Sequence, residues 1–310
     1  MPLRLIPDNT NLPFMKWAKI RTPISLVLMA LSFVLFFTVG VNQGIDFKGG
    51  TVIEIATLSG ADADLADIRA KVSTLELGDV QIQNIGDAST VLIRVAAQEG
   101  GEEAQQAVVD KVRSALTAAE YDYRRVEVVG PRVSGELART GTLAVLFTIA
   151  GIMAYIWFRF EWQFGVAAVA TLVHDAILTV GFFAATQIDF NLTSIAAILT
   201  IVGYSLNDTV VIFDRIRELL RKYKKMPVGE LIDLATNQTL ARTIMTSLTT
   251  LLALIALYVF GGPVVQSFTA AMIWGVFVAT ASSIFIGGPI LIYFNIRSAA
   301  VAVEEKPARA

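Results

Sequence analysis

Long apolar stretches recur along the chain and alternate with polar segments. A helix needs about 20 predominantly apolar residues to cross the hydrocarbon core of a bilayer. Each stretch approaches that length, so the pattern predicts a bundle of membrane-spanning helices. The predicted spans are 23–40, 139–158, 164–185, 192–213, 242–260 and 268–294. The last five of them form one continuous membrane region, 139–296. The long polar segment 41–138 predicts a separate domain between the first two spans.

A different pattern fills that polar segment. Apolar residues alternate with polar ones where strands are predicted and recur at helical spacing where helices are predicted. The predicted strands are 51–56, 80–85, 91–95 and 121–129, and the predicted helices are 63–77 and 102–119. This β-α-β-β-α-β order is typical of a ferredoxin-like split βαβ fold. The predicted fold class is therefore a six-helix, all-α membrane bundle with one α+β ferredoxin-like extracytoplasmic domain between spans 1 and 2.

Composition narrows the class of protein. The chain is 55% hydrophobic and only 17% charged, which indicates a multi-span membrane protein rather than a soluble domain. It contains no cysteine, which excludes a disulfide framework and a thiolate site. Its single histidine, His174, excludes a histidine-rich metal cage. We therefore expect no cofactor and no metal.

The distribution of positive charge predicts the orientation in the membrane. Lys16, Lys19 and Arg21 precede span 1, and the most basic loop of the chain, starting at Arg215, follows span 4. Lysine and arginine are enriched in cytoplasmic loops. The N-terminal segment 1–22 and the tail 297–310 are therefore predicted to be cytoplasmic, with span 1 as an uncleaved anchor and the 41–138 domain outside.

Span 4 contains an ionisable residue, Asp208. A carboxylate near the centre of a spanning helix costs about 2.5 to 3.5 kcal/mol by insertion scales, so such residues usually have a function. Tyr204 shares its helical face and Asn207 lies beside it. Arg242, near the inner end of span 5, is predicted at similar depth as its counter-charge. We interpret the pair as an ion-coupling site, in which burial and pairing set the affinity for a proton. A structural hydrogen bond at Asp208 and an ordinary positive flank at Arg242 are the alternatives.

Polar residues of neighbouring spans are secondary candidates. Span 5 carries a ridge of hydroxyl groups that includes Thr246 and is suited to contacts between helices or to a wet path. His174 and Asp175 lie near the middle of span 3 and point about 100° apart around the helix. They are candidates for a proton relay, because histidine titrates near neutral pH. Packing between helices is an equally good interpretation.

A glycine-rich segment follows span 1 directly. It reads Gly-Ile-Asp-Phe-Lys-Gly-Gly over residues 44–50. Glycines allow a tight joint between the bundle and the outer domain. The segment lacks the Gly-Lys-Ser/Thr of a phosphate loop. We predict a structural hinge made by Gly44, Asp46, Gly49 and Gly50.

Three blocks of sequence carry a resemblance to a known family. They are residues 44–51, 201–218 and 237–250, which include the glycine-rich segment, Asp208 and Arg242. These blocks are similar to the signature blocks of SecF, a membrane subunit family of bacterial protein export, and the resemblance extends over essentially the whole chain. It implies half of a transporter of the resistance-nodulation-division superfamily. It also implies that Asp208 and Arg242 match the intramembrane residues that this family links to proton movement.

The resemblance also implies a cellular role. With SecD, and often YajC, such a subunit acts beside the SecY-SecE-SecG channel in the bacterial cytoplasmic (inner) membrane. There it couples the proton-motive force to late steps of preprotein translocation. The implied partners are those proteins, the translocating preprotein and membrane lipid, with no nucleic acid. The implied class is a transport subunit and not an enzyme.

Three other functions are compatible with parts of the pattern. Proton-driven efflux of small hydrophobic compounds would need a partner half and a larger outer region for collecting ligand. An intramembrane protease dyad of Asp175 and Asp208 would share a proton, but the usual Gly-x-Gly-Asp block is absent. A passive scaffold would have no need of a costly charge within the membrane. Whether protons or sodium ions drive the cycle stays open.

Overall fold

The computed structural model describes residues 10–294 and residue 296. In chain order the elements are α1 (Phe14–Thr38), α2 (Ile45–Lys48), β1 (Gly50–Thr57), α3 (Leu65–Ser73), β2 (Val80–Ile85), β3 (Asp87–Val95), α4 (Gly101–Ala115), β4 (Tyr121–Val129), α5 (Pro131–Arg159), α6 (Trp162–Thr186), α7 (Leu192–Lys222), α8 (Val228–Phe260), α9 (Pro263–Ser282), a π-helical turn (Ser283–Gly287) and α10 (Gly288–Tyr293). The predicted cytoplasmic tail 297–310 and the first nine residues of the predicted N-terminal segment lie outside the described residues.

The prediction of six apolar helices is confirmed for the part of the chain that the structure describes. They are α1, α5, α6, α7, α8 and the continuous helix that runs from α9 through the π-helical turn to α10. A buried core joins α6, α7 and α8 with the end of the last helix, and it includes Phe164, Phe213 and Leu291. The chain is a multi-pass membrane protein.

Several helices extend beyond their apolar stretches. α7 continues through Lys222 and α8 begins at Val228, so most of the basic segment predicted as a loop is helical. Leu219 and Leu220 of α7 and Ile232 of α8 belong to one buried cluster. Burial of apolar side chains stabilises helical ends where the mean hydropathy has already fallen. Likewise, α1 begins at Phe14, nine residues before the predicted span, and it includes the basic flank.

The segment between α1 and α5 forms a small antiparallel sheet, as predicted. Its strand order is β2-β3-β1-β4, and every neighbouring pair is antiparallel. In β1, Ile53 and Ile55 point towards α3 and α4, where they share a buried core with Val72 and Val112. Successive side chains of a strand point to opposite faces. Both helices therefore cover one face of the sheet.

The opposite face of the sheet lies against the short helix α2. Val52 of β1 and Leu92 of β3 form a second buried cluster with Ile45 of α2. Gly50 opens β1 with φ at 127°, and a Cβ there would collide with the carbonyl oxygen of Val95. Only glycine fits this close approach. The short helix α2, which follows α1, thus packs against the sheet and holds it close to the end of α1.

Candidate functional site within the helical bundle

The side chain of Asp208 is buried in the interior of the bundle. It projects from α7 and is only 2% exposed. Its Oδ2 atom is buried without a hydrogen-bond partner, and no ion pair reaches the carboxyl group from any described residue. Buried polar groups are nearly always hydrogen-bonded, and leaving one unpaired costs free energy. The fold therefore holds Asp208 in an unfavourable place that stability alone does not explain.

Arg242 lies near Asp208 but does not pair with it. It is the charged group that exerts a Coulombic attraction on Asp208, yet the two side chains form no ion pair in this structure. Adjacent positions of a helix point about 100° apart. On α8, Thr243 points into the bundle and is buried, whereas the preceding residue, Arg242, is exposed. The predicted counter-charge is thus present at the surface of the bundle and separated from the acid.

A continuous hydrogen-bond network surrounds the second intramembrane acid, Asp175, which is 0% exposed. Its Oδ1 lies 2.8 Å from Nδ1 of His174, the preceding residue. Its Oδ2 accepts hydrogen bonds from Ser205 of α7 at 2.5 Å and from Ser282 of α9 at 2.8 Å. The Nε2 atom of His174 contacts the hydroxyl of Ser25 on α1. Four helices therefore meet at this acid and its neighbouring histidine.

His174 and Asp175 contact each other although they occupy adjacent positions on α6. The imidazole Nδ1 reaches the neighbouring carboxylate. Asp175 does face α7, through Ser205, which is three residues before Asp208. Asp175 and Asp208 do not share a hydrogen bond, so the arrangement lacks the shared proton of a protease dyad.

A second polar cluster lies between α7, α8 and α9. The hydroxyl of Tyr204 donates to Ser247 at 3.1 Å, and Ser247 Oγ lies 2.7 Å from the hydroxyl of Thr280. Thr246 instead donates to the carbonyl oxygen of Arg242 on its own helix. Asn207 is exposed on α7. The contact between helices is thus made by Ser247 and Thr280, and Thr246 takes no part in it.

A π-helical turn adjoins both acids. It begins at Ser283, whose hydroxyl lies 3.1 Å from that of Thr209, the residue after Asp208. Turns of this kind occur mostly inside α-helices and often at functional sites. The preceding residue, Ser282, bonds Asp175. One irregular turn therefore contacts the surroundings of both carboxyl groups.

Three of these residues were missed by sequence reasoning. Ser25 contacts His174, Ser282 contacts Asp175, and Ser283 contacts Thr209 beside Asp208. Single serines within apolar helices are common and give little signal. The adjacent pair Ser282-Ser283 in a span was the one available hint. Serine hydroxyls in membrane helices often hydrogen-bond across helices.

The predicted hinge residues form a bonded joint beneath the sheet. The amide of Gly44 donates to the carbonyl oxygen of Phe190 at 2.7 Å, and the carboxylate of Asp46 accepts from the amide of Leu192 at 2.9 Å. Gly49 and Gly50 both have positive φ values. The segment therefore connects the sheet to the first residue of α7, the helix that carries Asp208.

Two known protein families match most of the chain. Residues 108–297 match the family described as protein export membrane protein SecD/SecF, C-terminal. Residues 34–57 match the SecD/SecF GG motif. The second match contains the glycine-rich segment, and the first contains Asp208, Arg242 and Asp175 with its direct partners.

Relatives with assigned names are similar over nearly the full length. The protein translocase subunit SecF of Rhodobacter capsulatus is 46% identical, over 95% of this chain and 92% of that protein. The protein translocase subunit SecDF of Brucella abortus is 43% identical over 95% of this chain. The match spans 39% of that SecDF protein, so this chain resembles one part of a longer protein.

Solved structures agree with the same assignment. A crystal structure of SecDF, a translocon-associated membrane protein from Thermus thermophilus, superposes with a TM-score of 0.82 at 33% identity, covering 96% of this chain and 40% of that one. A crystal structure of SecDF in a super-membrane-facing form superposes with a TM-score of 0.69 at 31% identity, covering 98% of this chain and 41% of that one.

Proposed function

This chain belongs to the SecD/SecF family of protein-export membrane proteins, and on that premise we propose that it couples the proton-motive force to late steps of preprotein translocation. In this role it is an auxiliary subunit of the Sec translocase and acts together with SecD. Its relatives are named translocase subunits, which are transport components rather than enzymes. The efflux alternative gains no support from the comparisons and is not proposed.

One observation carries the coupling proposal: the unpaired, buried carboxyl group of Asp208. An ionisable group within a membrane bundle that lacks a partner in one state can gain one in another. Neutralising Asp208 with a proton would remove its attraction to Arg242 and the cost of burying its charge. α7 would then have a different preferred packing in each charge state, which is how an ion gradient can drive a conformational change.

The surface of α7 supports a partner within the membrane. Small or polar residues at spacings of three and four form an exposed stripe along the helix: Thr193, Ala196, Thr200, Gly203 and Asn207. Small and polar residues mark helix–helix interfaces in membranes, because they allow close approach and hydrogen bonding. The fused SecDF relatives join SecD to a part similar to this chain. We therefore assign this stripe, with the neighbouring Arg242, to contact with the SecD half.

The remaining partners and the orientation follow from the same role. Adjacent to the membrane we propose the SecY-SecE-SecG channel, YajC and surrounding lipid, with a translocating preprotein as the object moved. The basic residues in the first turns of α1 and at the end of α7 support cytoplasmic termini in the bacterial cytoplasmic membrane. The sheet then lies outside. Its strand order and the two helices on one face support the ferredoxin-like assignment.

The test is the substitution Asp208→Asn, which removes the titration while retaining size. Vesicles that contain the channel, SecD and this chain are given ATP, and preprotein release is measured with and without a proton gradient. We expect Asp208→Asn to reduce gradient-dependent release at least tenfold, to the rate seen without a gradient, and to leave the ATP-driven phase unchanged.

The matched control is Glu218→Gln, which neutralises an exposed carboxylate on the same helix. It should release preprotein at the rate of the unmodified protein. If Asp208→Asn retained gradient-dependent release, the coupling proposal would be wrong. Repeating the assay with a sodium gradient in place of the proton gradient identifies the driving ion.

A further inference from the structure

The helix that carries Asp208 begins inside a set of contacts with the outer sheet. The loop before α7 runs beside the segment that follows α1. Gly44 donates to Phe190 at 2.7 Å, and the amide of Phe190 donates to the carbonyl oxygen of Asn42 at 2.8 Å. These bonds form a parallel bridge between two segments that lie about 145 residues apart in sequence. The start of α7 is therefore fixed to the connection between α1 and the sheet.

The first turn of α7 is capped by residues from both segments. The side chain of Asn191 accepts from the amide of Ser194 at 3.0 Å, and that of Asp46 accepts from the amide of Leu192 at 2.9 Å. The first amides of a helix lack partners within the helix and bear partial positive charge. A carboxylate supplied by the glycine-rich segment thus satisfies one of them and binds this segment to the helix.

A third contact comes from the sheet itself. Arg94 of β3 forms an ion pair with Asp189, which lies three residues before α7. The other oxygen of Asp189 accepts from Nδ2 of Asn42 at 3.0 Å. The side chains of Arg94 and Asp189 are 14% and 27% exposed, so water screens this pair less than a surface pair. Asp189 joins the sheet, the post-α1 segment and the loop before α7.

The glycines of this region are packed and leave little room for bending. An ideal Cβ on Gly44 would lie 3.3 Å from both Cβ of Asn191 and the carbonyl oxygen of Phe190. Gly50 approaches the carbonyl oxygen of Val95 closely, as described above. Glycine here permits close approach of backbones, a use distinct from flexibility. The close packing at Gly44 and Gly50 supports a rigid connection at this point.

We propose that Asp46, Arg94 and Asp189 are positioning residues that join the outer sheet and the first turn of α7 into one rigid body. A shift of α7 caused by a change at Asp208 is then transmitted to the sheet without loss at a hinge. This inference rests on the proposed function, because it concerns how the movement reaches the outer domain. It adds Arg94 and Asp189, which lie outside the intramembrane site.

A disulfide tests the rigidity directly. The chain has no cysteine, so Gly44→Cys together with Asn191→Cys introduces a single possible pair. Their Cβ separation of 3.3 Å is close to the range of about 3.5 to 4.5 Å found in disulfides. In vesicles with SecD and the channel, the oxidised and reduced forms of this variant should show equal gradient-dependent release. A reversible block by oxidation would show that the two segments must separate, and would overturn the inference.

A double-mutant cycle tests the ion pair independently of the disulfide. Arg94→Ala and Asp189→Ala should each abolish most gradient-dependent release, while proton uptake by the vesicles continues. Each single variant removes the same Arg94–Asp189 ion pair. The double variant should therefore release preprotein no more slowly than Asp189→Ala alone. The matched control is Lys71→Ala, which breaks an exposed ion pair with Glu120 elsewhere in the sheet domain and should have no effect. Normal release by both single variants, or losses that multiply, would overturn the inference.

Asp208→Asn is measured in parallel to separate the two proposals. If it leaves gradient-dependent release intact, the proposed function fails whatever the joint variants do. If it abolishes release and the joint variants do not, the proposed function stands and the rigid joint is wrong. A split between continued proton uptake and lost release is a result that a merely structural role for Arg94 would not give.

Discussion

Replacing Asp175 with alanine should separate helices that are now held by one carboxyl group. Its two oxygens contact His174 at 2.8 Å, Ser205 at 2.5 Å and Ser282 at 2.8 Å. The substitution removes all three contacts and leaves a small cavity. Because Ser205 lies on α7 and Ser282 ends α9, the loss affects the packing of both helices against α6.

The size of the effect can be bracketed from these contacts. A hydrogen bond to a charged group contributes about 1.5 to 3 kcal/mol in soluble proteins, whereas interhelical bonds in a membrane average about 0.6 kcal/mol. Three bonds therefore contribute between about 2 and 9 kcal/mol. Ser282 also donates to the carbonyl oxygen of Ala279, and the ring of His174 keeps its contact with Ser25, so both retain one partner. We expect a loss of about 3 kcal/mol in the free energy of unfolding, in the lower part of that range.

The assay is reversible unfolding of the purified chain in mixed detergent micelles. Asp175→Asn, which retains one carbonyl acceptor, should lose about half as much stability as Asp175→Ala. Thr200→Ala is the control, since that exposed hydroxyl donates only to Ala196 within α7. If Asp175→Ala differed from Thr200→Ala by less than about 0.5 kcal/mol, the network would not be holding the helices together.

Three further outcomes are expected in the same purified chain. Asp208→Asn should raise the free energy of unfolding by about 1 kcal/mol, because a neutral amide costs less to bury than a carboxylate; a loss would mean that the acid has a stabilising partner. Gly275→Ala should destabilise by about 1 to 3 kcal/mol, because its methyl group would overlap Ile201, whereas Gly203→Ala meets nothing within 4 Å and serves as the control. Hydrogen bonds from neighbouring hydroxyls and amides lower the pKa of Asp87. Its contribution to stability is therefore complete at neutral pH and is lost as the pH falls below about 4, so Asp87→Asn should remove that part of the acid dependence measured by circular dichroism.

The spacing of hydrophobic residues predicted the architecture, because within each helix or strand the apolar residues recur at the period of that element. The order of strands and helices around the sheet follows from the spacing of residues such as Ile53, Ile68 and Val108, which are all buried. Helix ends were harder to predict, because they depend on tertiary packing. Leu219 and Leu220 make α7 longer than its apolar stretch through contacts that mean hydropathy does not reveal.

The candidate site was predictable in its residues and less so in its connections. Asp208 stood out because a charge within an apolar helix is costly wherever the helix lies. The outward direction of Arg242 depends on the rotation of α8, and this helix does not encode that rotation because its polar and apolar residues are spread around it. The network around Asp175 reaches α1 and α9: Ser25 lies 149 residues from His174, which it contacts, and Ser282 lies 107 residues from Asp175. Pairings at such separations are set by packing and cannot be read from local spacing.

The two intramembrane acids occupy the same bundle but have opposite surroundings, and this difference assigns them different roles. Asp175 has contacts on both oxygens from residues on two other helices and its own, so any movement or change of charge would break several bonds at once. Asp208 has an oxygen without a partner and a cation nearby but not in contact, so movement would cost it no hydrogen bond and would gain an attraction. A fully bonded acid favours one arrangement of the helices, whereas an acid without a bonded partner can change its surroundings without breaking a hydrogen bond. This contrast supports the proposal that Asp208 takes part in coupling and that Asp175 belongs to the fixed framework around it.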